Sequence, residues 1–439
     1  MLELLNIFYF FSIFILIFSF PFNKFTTNKL FKIYNSKLNF FDFQSINIIF
    51  FLYIILIISF FDLPLKLIFY IYISFSLIFI FTNLLRKNDL KKINNKIDYF
   101  LFSIITISLF VYVAHNLKLE WDGHHWLEKV VFFYHENKIS DFYKLKVHPE
   151  YPHLGSFIWA LFWKNSLVNY EYVGRLFCIY FYVISIFSIT NYVENINKNL
   201  KIYISLFLIL ITFEPYLFAG YQDYFLFSIL ILCSRLIFIL NFEKINNNLF
   251  VLIILSLGLL MWFKDEGLFY FLIFGVLLIL NVKLTINLKI CYLALIFSLL
   301  TFNFMTQKFL LGIYELPSGT ASESLMVLNK LMFDFGLIFE KSFKILIHLI
   351  ISSIKYLAIV LVIISLFTIS LKKKFDIKIK YLVQCFLVNL IFLYTSFMTF
   401  GAIDYMLTVA LDRLLFQTSG FYLIVSLFLI NILINKNYK

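Results

Sequence analysis

The chain is a succession of apolar runs, at about 4–20, 46–61, 64–83, 98–114, 172–193, 200–213, 223–240, 249–263, 267–282, 288–305, 343–370, 381–400 and 414–434, roughly thirteen in all. A hydrocarbon layer takes about 20 apolar residues of helix to cross, and in lipid every backbone polar group must be satisfied within its own segment. The pattern therefore predicts an all-α polytopic membrane protein. Only 14% of the 439 residues are charged and 62% are hydrophobic, which excludes a soluble domain, where about 25% charge is usual.

The basic residues set an expected orientation. Lys24, Lys29, Lys32 and Lys37 follow the first run, Arg86, Lys87, Lys91, Lys92 and Lys96 follow the third, and Lys372, Lys373, Lys374, Lys378 and Lys380 precede the twelfth. Loops rich in Lys and Arg stay in the cytoplasm, so the N-terminus is expected outside and the C-terminus inside. The net charge of +12 then reports topology and not nucleic-acid binding. The first run lacks a basic leader and a small-residue cleavage site, so it reads as a retained span. Cys178, Cys233, Cys291 and Cys385 are scattered through apolar runs without disulfide or metal spacing, as small core residues would be.

Most acids and nearly all histidines are expected on the opposite, outer side, the largest share of them in two long loops expected at 115–171 and 306–342. Four of the five Trp lie between 121 and 163. In the first loop Trp126, Val130, Phe133 and Tyr134 recur at helical spacing, with Glu128, Lys129 and Glu136 elsewhere on the wheel. The segment Leu154–Trp163 is too short to span and suits a helix lying in the interface. Pro317-Ser318-Gly319 marks a turn in the second loop.

Five constellations with chemical potential lie on that side. Glu120-Trp121-Asp122-Gly123-His124-His125-Trp126 holds a carboxylate beside aromatic rings at the membrane surface, where partial burial raises it toward a general base's range. An ordinary acidic loop with Trp anchors would read the same way. His124 and His125 are adjacent, so on a helix they point about 100° apart, which does not favour a metal. His148-Pro149-Glu150-Tyr151-Pro152-His153-Leu154-Gly155 is a stiffened turn into a helix. Gly220-Tyr221-Gln222-Asp223-Tyr224 puts Asp223 into the first turn of a span, where the helix dipole alone would favour it. Phe263-Lys264-Asp265-Glu266-Gly267 packs three charges into a turn between short spans, which is costly unless they are paired or face water. Asp404 precedes Leu411-Asp412-Arg413-Leu414-Leu415, and Arg413 is one of only four arginines, with Arg86, Arg175 and Arg235. Its bidentate fork suits a phosphate, and equally a structural pair with Asp412. No phosphate loop, dinucleotide fingerprint, nucleophile elbow or paired-cysteine motif is present.

Taken in order, these segments resemble the GT-C superfamily of integral-membrane glycosyltransferases that use polyprenyl-phosphate sugars, specifically the bacterial branch related to protein mannosyltransferases and lipopolysaccharide core glycosyltransferases. The resemblance rests on Trp121-Asp122 with Trp126 and Lys129, on His148 to Pro152, on Gly220 to Asp223, on Lys264 to Gly267 (with Asp265 where Asn is more familiar) and on Asp412 to Leu415. It covers about residues 98–434. It implies a GT-C-like fold of about 13 transmembrane helices with periplasmic juxtamembrane helices. Residues 1–97 would be N-terminal helices to which the resemblance gives no role, and 98–439 the catalytic domain.

The activity implied is inverting transfer of a sugar from a polyprenyl-phosphate donor to an envelope lipid, glycan or protein at the outer face of the bacterial inner membrane. Asp122 is the expected base. Arg413, Lys264 and Arg175 are expected at the donor phosphate, and Asp223, Glu266, His148, Glu150 and Tyr151 at the substrate. No cofactor is called for and a metal is not indicated. The expected partners are the donor, the acceptor and membrane lipids. A lipid-linked-sugar flippase would need polar residues through the spans and on both faces, and an O-antigen polymerase or ligase would carry Arg-rich outer loops. A non-catalytic scaffold is a further alternative.

Overall fold

The computed structural model describes residues 2–19, 40–85, 96–116, 118–119, 121–146, 148–190, 198–312, 327, 334–352, 377–400 and 403–420, and these form helices and turns with no strand among them. In chain order the helices are α1 (Leu2–Ser19), α2 (Phe40–Ile58), α3 (Leu65–Leu85), α4 (Lys96–Asn116), α5 (Trp121–Tyr134), α6 (Leu154–Lys164), α7 (Leu176–Thr190), α8 (Lys198–Thr212), α9 (Asp223–Ile239), α10 (Asn247–Gly258), α11 (Glu266–Asn281), α12 (Ile286–Met305), α13 (Phe335–Ser352), α14 (Ile377–Thr399), α15 (Ile403–Val409) and α16 (411–420). The all-α architecture follows the apolar pattern. Five of the described helical segments are long and apolar enough to cross a membrane: Phe40–Ile58, Asp98–His115, Glu171–Thr190, Ile286–Leu310 and Lys380–Thr399.

Local chemistry punctuates these helices. Asn246 caps α10 by accepting from the amides of Asn248 and Leu249, Thr285 caps α12, and the Asp334 carboxylate accepts from the Leu337 amide at the start of α13. Pro215 opens a 3-10 turn at Pro215–Phe218, where its missing N–H costs nothing.

Helices α7 and α9 form the centre. Nearly every residue of both is buried, as expected for helices apolar all round. Phe14 and Phe18 of α1, Phe51 of α2 and Phe162 of α6 pack around Phe177 of α7. By contrast α12 buries only Tyr292, Ile296 and Asn303, and its exposed Ile, Phe and Met side chains suit contact with lipid.

Residues 154–162 of α6 are buried, packed among α1, α2, α3 and α7 by Phe162. Helix α13 begins at Phe335, within the expected 306–342 segment, and Pro317-Ser318-Gly319 lies outside the described residues. One expectation is corrected, that all four cysteines are core residues. Cys291 is exposed on α12, while Cys233 and Cys385 are core residues.

The bundle has two chemically distinct ends. At one end Asn6 of α1 donates to the Val168 carbonyl and accepts from the amides of Leu167 and Val168, Ser59 after α2 meets His153 at 2.8 Å, and Glu136 accepts from the Leu65 amide. The N-termini of α7, α9 and α16 share this end. At the other end Arg235 of α9 grips Asp42 of α2 with both fork nitrogens, at 3.1 and 3.0 Å, and Ser188 of α7 donates to the same carboxylate at 2.8 Å. Lys378 donates there to the Phe238 carbonyl. The N-terminal helices are thus bound into the bundle at both ends.

Removing one partner of a buried ion pair strands the other charge, at a cost of about 3–5 kcal/mol. Asp42→Asn is therefore expected to lower the thermal unfolding temperature in detergent markedly, and Asp42→Leu combined with Arg235→Met to recover most of it. Equal stability of Asp42→Asn and wild type would remove the pair as a fastener.

Candidate functional site

The hub of the candidate site is Asp223, whose side chain is fully buried at the N-terminus of α9. Three elements converge on it. Lys264, from the turn between the 3-10 segment Leu259–Trp262 and α11, places Nζ 3.1 Å from Oδ1. Arg413 and Gln417 arrive together from α16, Arg413 with a guanidinium nitrogen 3.4 Å from Oδ2 and Gln417 donating to Oδ1. Four residues apart, they share one face of that helix. Gln417 in turn accepts from the Tyr270 hydroxyl of α11 at 3.0 Å. Lys264 also lies 3.5 Å from Glu266, and Arg413 rests on the Tyr221 ring with its central carbon 4.2 Å from the ring centre. Two cations and two carboxylates thus offset one another at the edge of the apolar bundle.

The turn that delivers Asp223 is fixed by close backbone approach. Gly220 has φ +105°, a conformation that side chains disfavour, and a Cβ there would come within 2.6 Å of the Gly123 Cα. A Cβ at Gly123 would collide with the Ala219 carbonyl, and one at Gly155 with the Gln222 side chain. Through these glycines the Trp-Asp-Gly segment and the start of α6 are pressed against the Gly-Tyr-Gln-Asp turn. Asp122 precedes Gly123 in the first turn of α5, so its backbone stands beside that turn. The Asp122 side chain and all of Glu120 lie outside the described residues.

A second cluster lies next to the hub, joined to it by the consecutive residues 264–266. Lys129, only 1% exposed, donates to the Tyr151 carbonyl at 2.7 Å and lies 5.2–5.6 Å from the ring centres of Trp126, Tyr151 and Phe142. The helical wheel had placed this lysine away from the buried face. Its hydrogen bond and cation–π contacts make the burial tolerable. Burial nevertheless pushes the ammonium down to about 7, against the pull of Asp265, Glu150 and Glu128. The Asp265 carboxyl reaches the surface, but crowding by the surrounding protein, then Glu266, pushes it up to about 7, with Lys129 and Lys264 opposing.

His148 Nδ1 meets Glu150 Oε1 at 2.9 Å, and the His148 ring stacks on Tyr151 at 4.6 Å with 7° between planes. The His148 backbone sits at φ +44°, an uncommon conformation that local packing must hold. His148, Glu150 and Tyr151 are therefore one unit attached to Lys129. His153, deeper in, is buried with Nε2 on Ser59, and burial, reinforced by Lys129, pushes it down to about 3.

Arg175 is held elsewhere, in a two-point pair with Glu171 at 3.0 Å and on the Phe218 carbonyl at 3.1 Å. It lines a small recess with Trp159, Tyr221 and Gln222, and the Tyr221 ring also carries Arg413. Asp404 pairs with Lys344 at an exposed edge. Gln417 and Tyr270 escaped the sequence reading because a lone Gln or Tyr in an apolar helix carries no spacing signal. Among the described residues no group of three or more His, Cys, Asp or Glu side chains could hold a metal ion.

Comparison with protein families, with curated proteins and with solved structures finds no match in any of the three.

The lowered Lys129 value has a signed consequence. The folded chain bears the cost of a buried ammonium in full below about pH 7, and that cost fades as pH rises toward 10.5, where the unfolded lysine also deprotonates. The stability of Lys129→Met relative to wild type is therefore expected to be greatest near pH 6 and to fall steadily toward pH 10, read from thermal unfolding in one detergent. A difference that does not change with pH would mean that Lys129 titrates as an ordinary surface lysine.

Proposed function

We propose that this chain is a multi-pass glycosyltransferase of the bacterial inner membrane. In this reading about thirteen spans form a GT-C-like catalytic bundle, with the N-terminus outside and the C-terminus cytoplasmic. The enzyme transfers a sugar from a polyprenyl-phosphate donor to an envelope lipid, glycan or protein. The observation that carries the reading is the meeting of Asp223, Lys264 and Arg413 with the Gly123–Gly220 contact. Segments spread along the chain from Gly123 to Arg413, chosen from the sequence alone, gather at one end of the bundle. An interfacial enzyme needs that arrangement, and a scaffold does not.

In the proposed reaction the donor's isoprenoid tail lies along the bundle with its sugar phosphate at the outer end. The acceptor hydroxyl attacks the anomeric carbon as its proton passes to Asp122. A new carbon–oxygen bond forms on the face opposite the phosphate, and the old one breaks with its electron pair leaving on the lipid phosphate. The anomeric centre inverts through an oxocarbenium-like transition state. A phosphate leaves already charged, so it needs fixed cations more than a proton, and Arg413 and Lys264 supply them. Arg175 would join them only by giving up its pair with Glu171. Glu266 holds Lys264, while His148, Glu150 and Tyr151 shape the acceptor side.

A flippase reading draws on one observation. Asp42, Arg235, Gln44 and Asn47 place polar groups inside the far end of the bundle. Each is engaged between helices, Gln44 with Tyr180 and Asn47 with the Phe18 carbonyl, which suits fastening better than passage.

The test is transfer of labelled sugar by purified protein in lipid nanodiscs supplied with polyprenyl-phosphate sugars. Asp122→Asn is expected to slow transfer about 10²–10⁴-fold, the range for one general base. Arg413→Lys is also expected to be slow, since a point charge does not replace the fork. Full turnover by Asp122→Asn would exclude Asp122 as base.

A further inference from the structure

Asp223 cannot touch a ligand where it stands: its side chain has no exposed surface, and its carboxylate is covered by Lys264, Arg413 and Gln417. Its two oxygens are held differently. Oδ1 accepts from both Lys264 and Gln417, and Gln417 is itself braced by Tyr270, all within the buried core. Oδ2 meets Arg413 at 3.4 Å, the longest of the three contacts. Arg413, unlike Gln417, keeps some exposure and lies on the half-buried ring of Tyr221. Any anion that reaches Arg413 must therefore compete with Asp223 for the guanidinium, while the carboxylate stays pinned through its other oxygen.

We propose that Asp223 is a positioning residue that stands in for the donor phosphate: it holds Arg413 on the Tyr221 ring in the resting protein and gives it up when a lipid phosphate arrives, while Lys264 and Gln417 keep the carboxylate in place. The inference rests on the transferase reading above, since it concerns the anion that reading puts at Arg413. It gives the buried acid a function that substrate contact does not. Without Asp223, two cations at an apolar boundary would repel each other while the site is unoccupied, and a phosphate once bound would be held too tightly to leave. With it, phosphate binding is an exchange of one anion for another at Arg413, and release of the product lipid phosphate is driven by the guanidinium's return to the fixed carboxylate.

This predicts a sign that structural support does not. If Asp223 merely stiffened the fold, its loss would loosen Arg413 and weaken anion binding. If it competes with the phosphate, its loss must strengthen binding. The experiment measures binding of a short isoprenyl monophosphate, farnesyl phosphate, to the full chain in nanodiscs, together with sugar transfer. Asp223→Asn is expected to bind the phosphate roughly 10- to 100-fold more tightly than wild type, the effect of one unit charge over several ångströms in a protein interior. It is also expected to turn over more slowly with a lower KM, because product release becomes limiting. Equal or weaker binding by Asp223→Asn, with wild type binding normally, overturns the inference and leaves the transferase reading intact. Absence of binding to wild type overturns both. Should Asp223→Asn not fold, the infrared difference spectrum of wild type with and without farnesyl phosphate carries the test. Withdrawal of Arg413 is expected to shift an aspartate carboxylate band, and an unchanged carboxylate region overturns the inference.

Discussion

One fully buried carboxylate organises one end of this molecule. Asp223 sits at the mouth of an apolar bundle, where an unpaired charge would be expelled or neutralised. It is kept there by Lys264, Arg413 and Gln417, which belong to two other parts of the chain. The positions of α9, α16 and the turn into α11 are thereby tied to one another by charge, at the end where the apolar packing gives way to polar loops.

Around that point the remaining polar architecture is secondary and contiguous. The residues 264–266 face two ways: Lys264 belongs to the Asp223 hub, while Asp265 lies within electrostatic reach of Lys129 and Glu150. Lys129, from α5, carries the connection into the His148–Tyr151 turn through the Tyr151 carbonyl. Backbone contact between Gly123 and Gly220 closes the circuit, leaving no room for a side chain between α5 and the turn that presents Asp223. At the far end the buried Asp42–Arg235–Ser188 cluster does similar work for α2, α7 and α9. Helix α9 therefore carries a charged fastening at each terminus.

Much of this was legible in the sequence, for identifiable reasons. Apolar runs announce membrane helices because lipid admits few other backbones, and α1–α4, α7–α12 and α14 fall where those runs lie. Charges wedged among apolar residues announced themselves too, so Asp223, Lys264 and Arg413 could be singled out one by one, though not their contact. What the sequence withheld depends on three-dimensional company. Lys129 reads as a surface lysine until Trp126, Phe142 and Tyr151 are seen around it. Gln417 and Tyr270 carry no spacing signal. The segment 154–164 has an interfacial helix's length and Trp content, yet its burial is set by Phe residues from four distant helices.

The account's central claim is that this outer end transfers a sugar from a lipid phosphate. The most direct measurement is mass spectrometry of envelope glycolipids, glycans and glycoproteins from cells with the gene, cells without it, and deleted cells carrying the Asp122→Asn chain at normal level. The account predicts that one defined sugar mass disappears on deletion and does not return with Asp122→Asn. An envelope unchanged by deletion, or a full return of the sugar with Asp122→Asn, would contradict it.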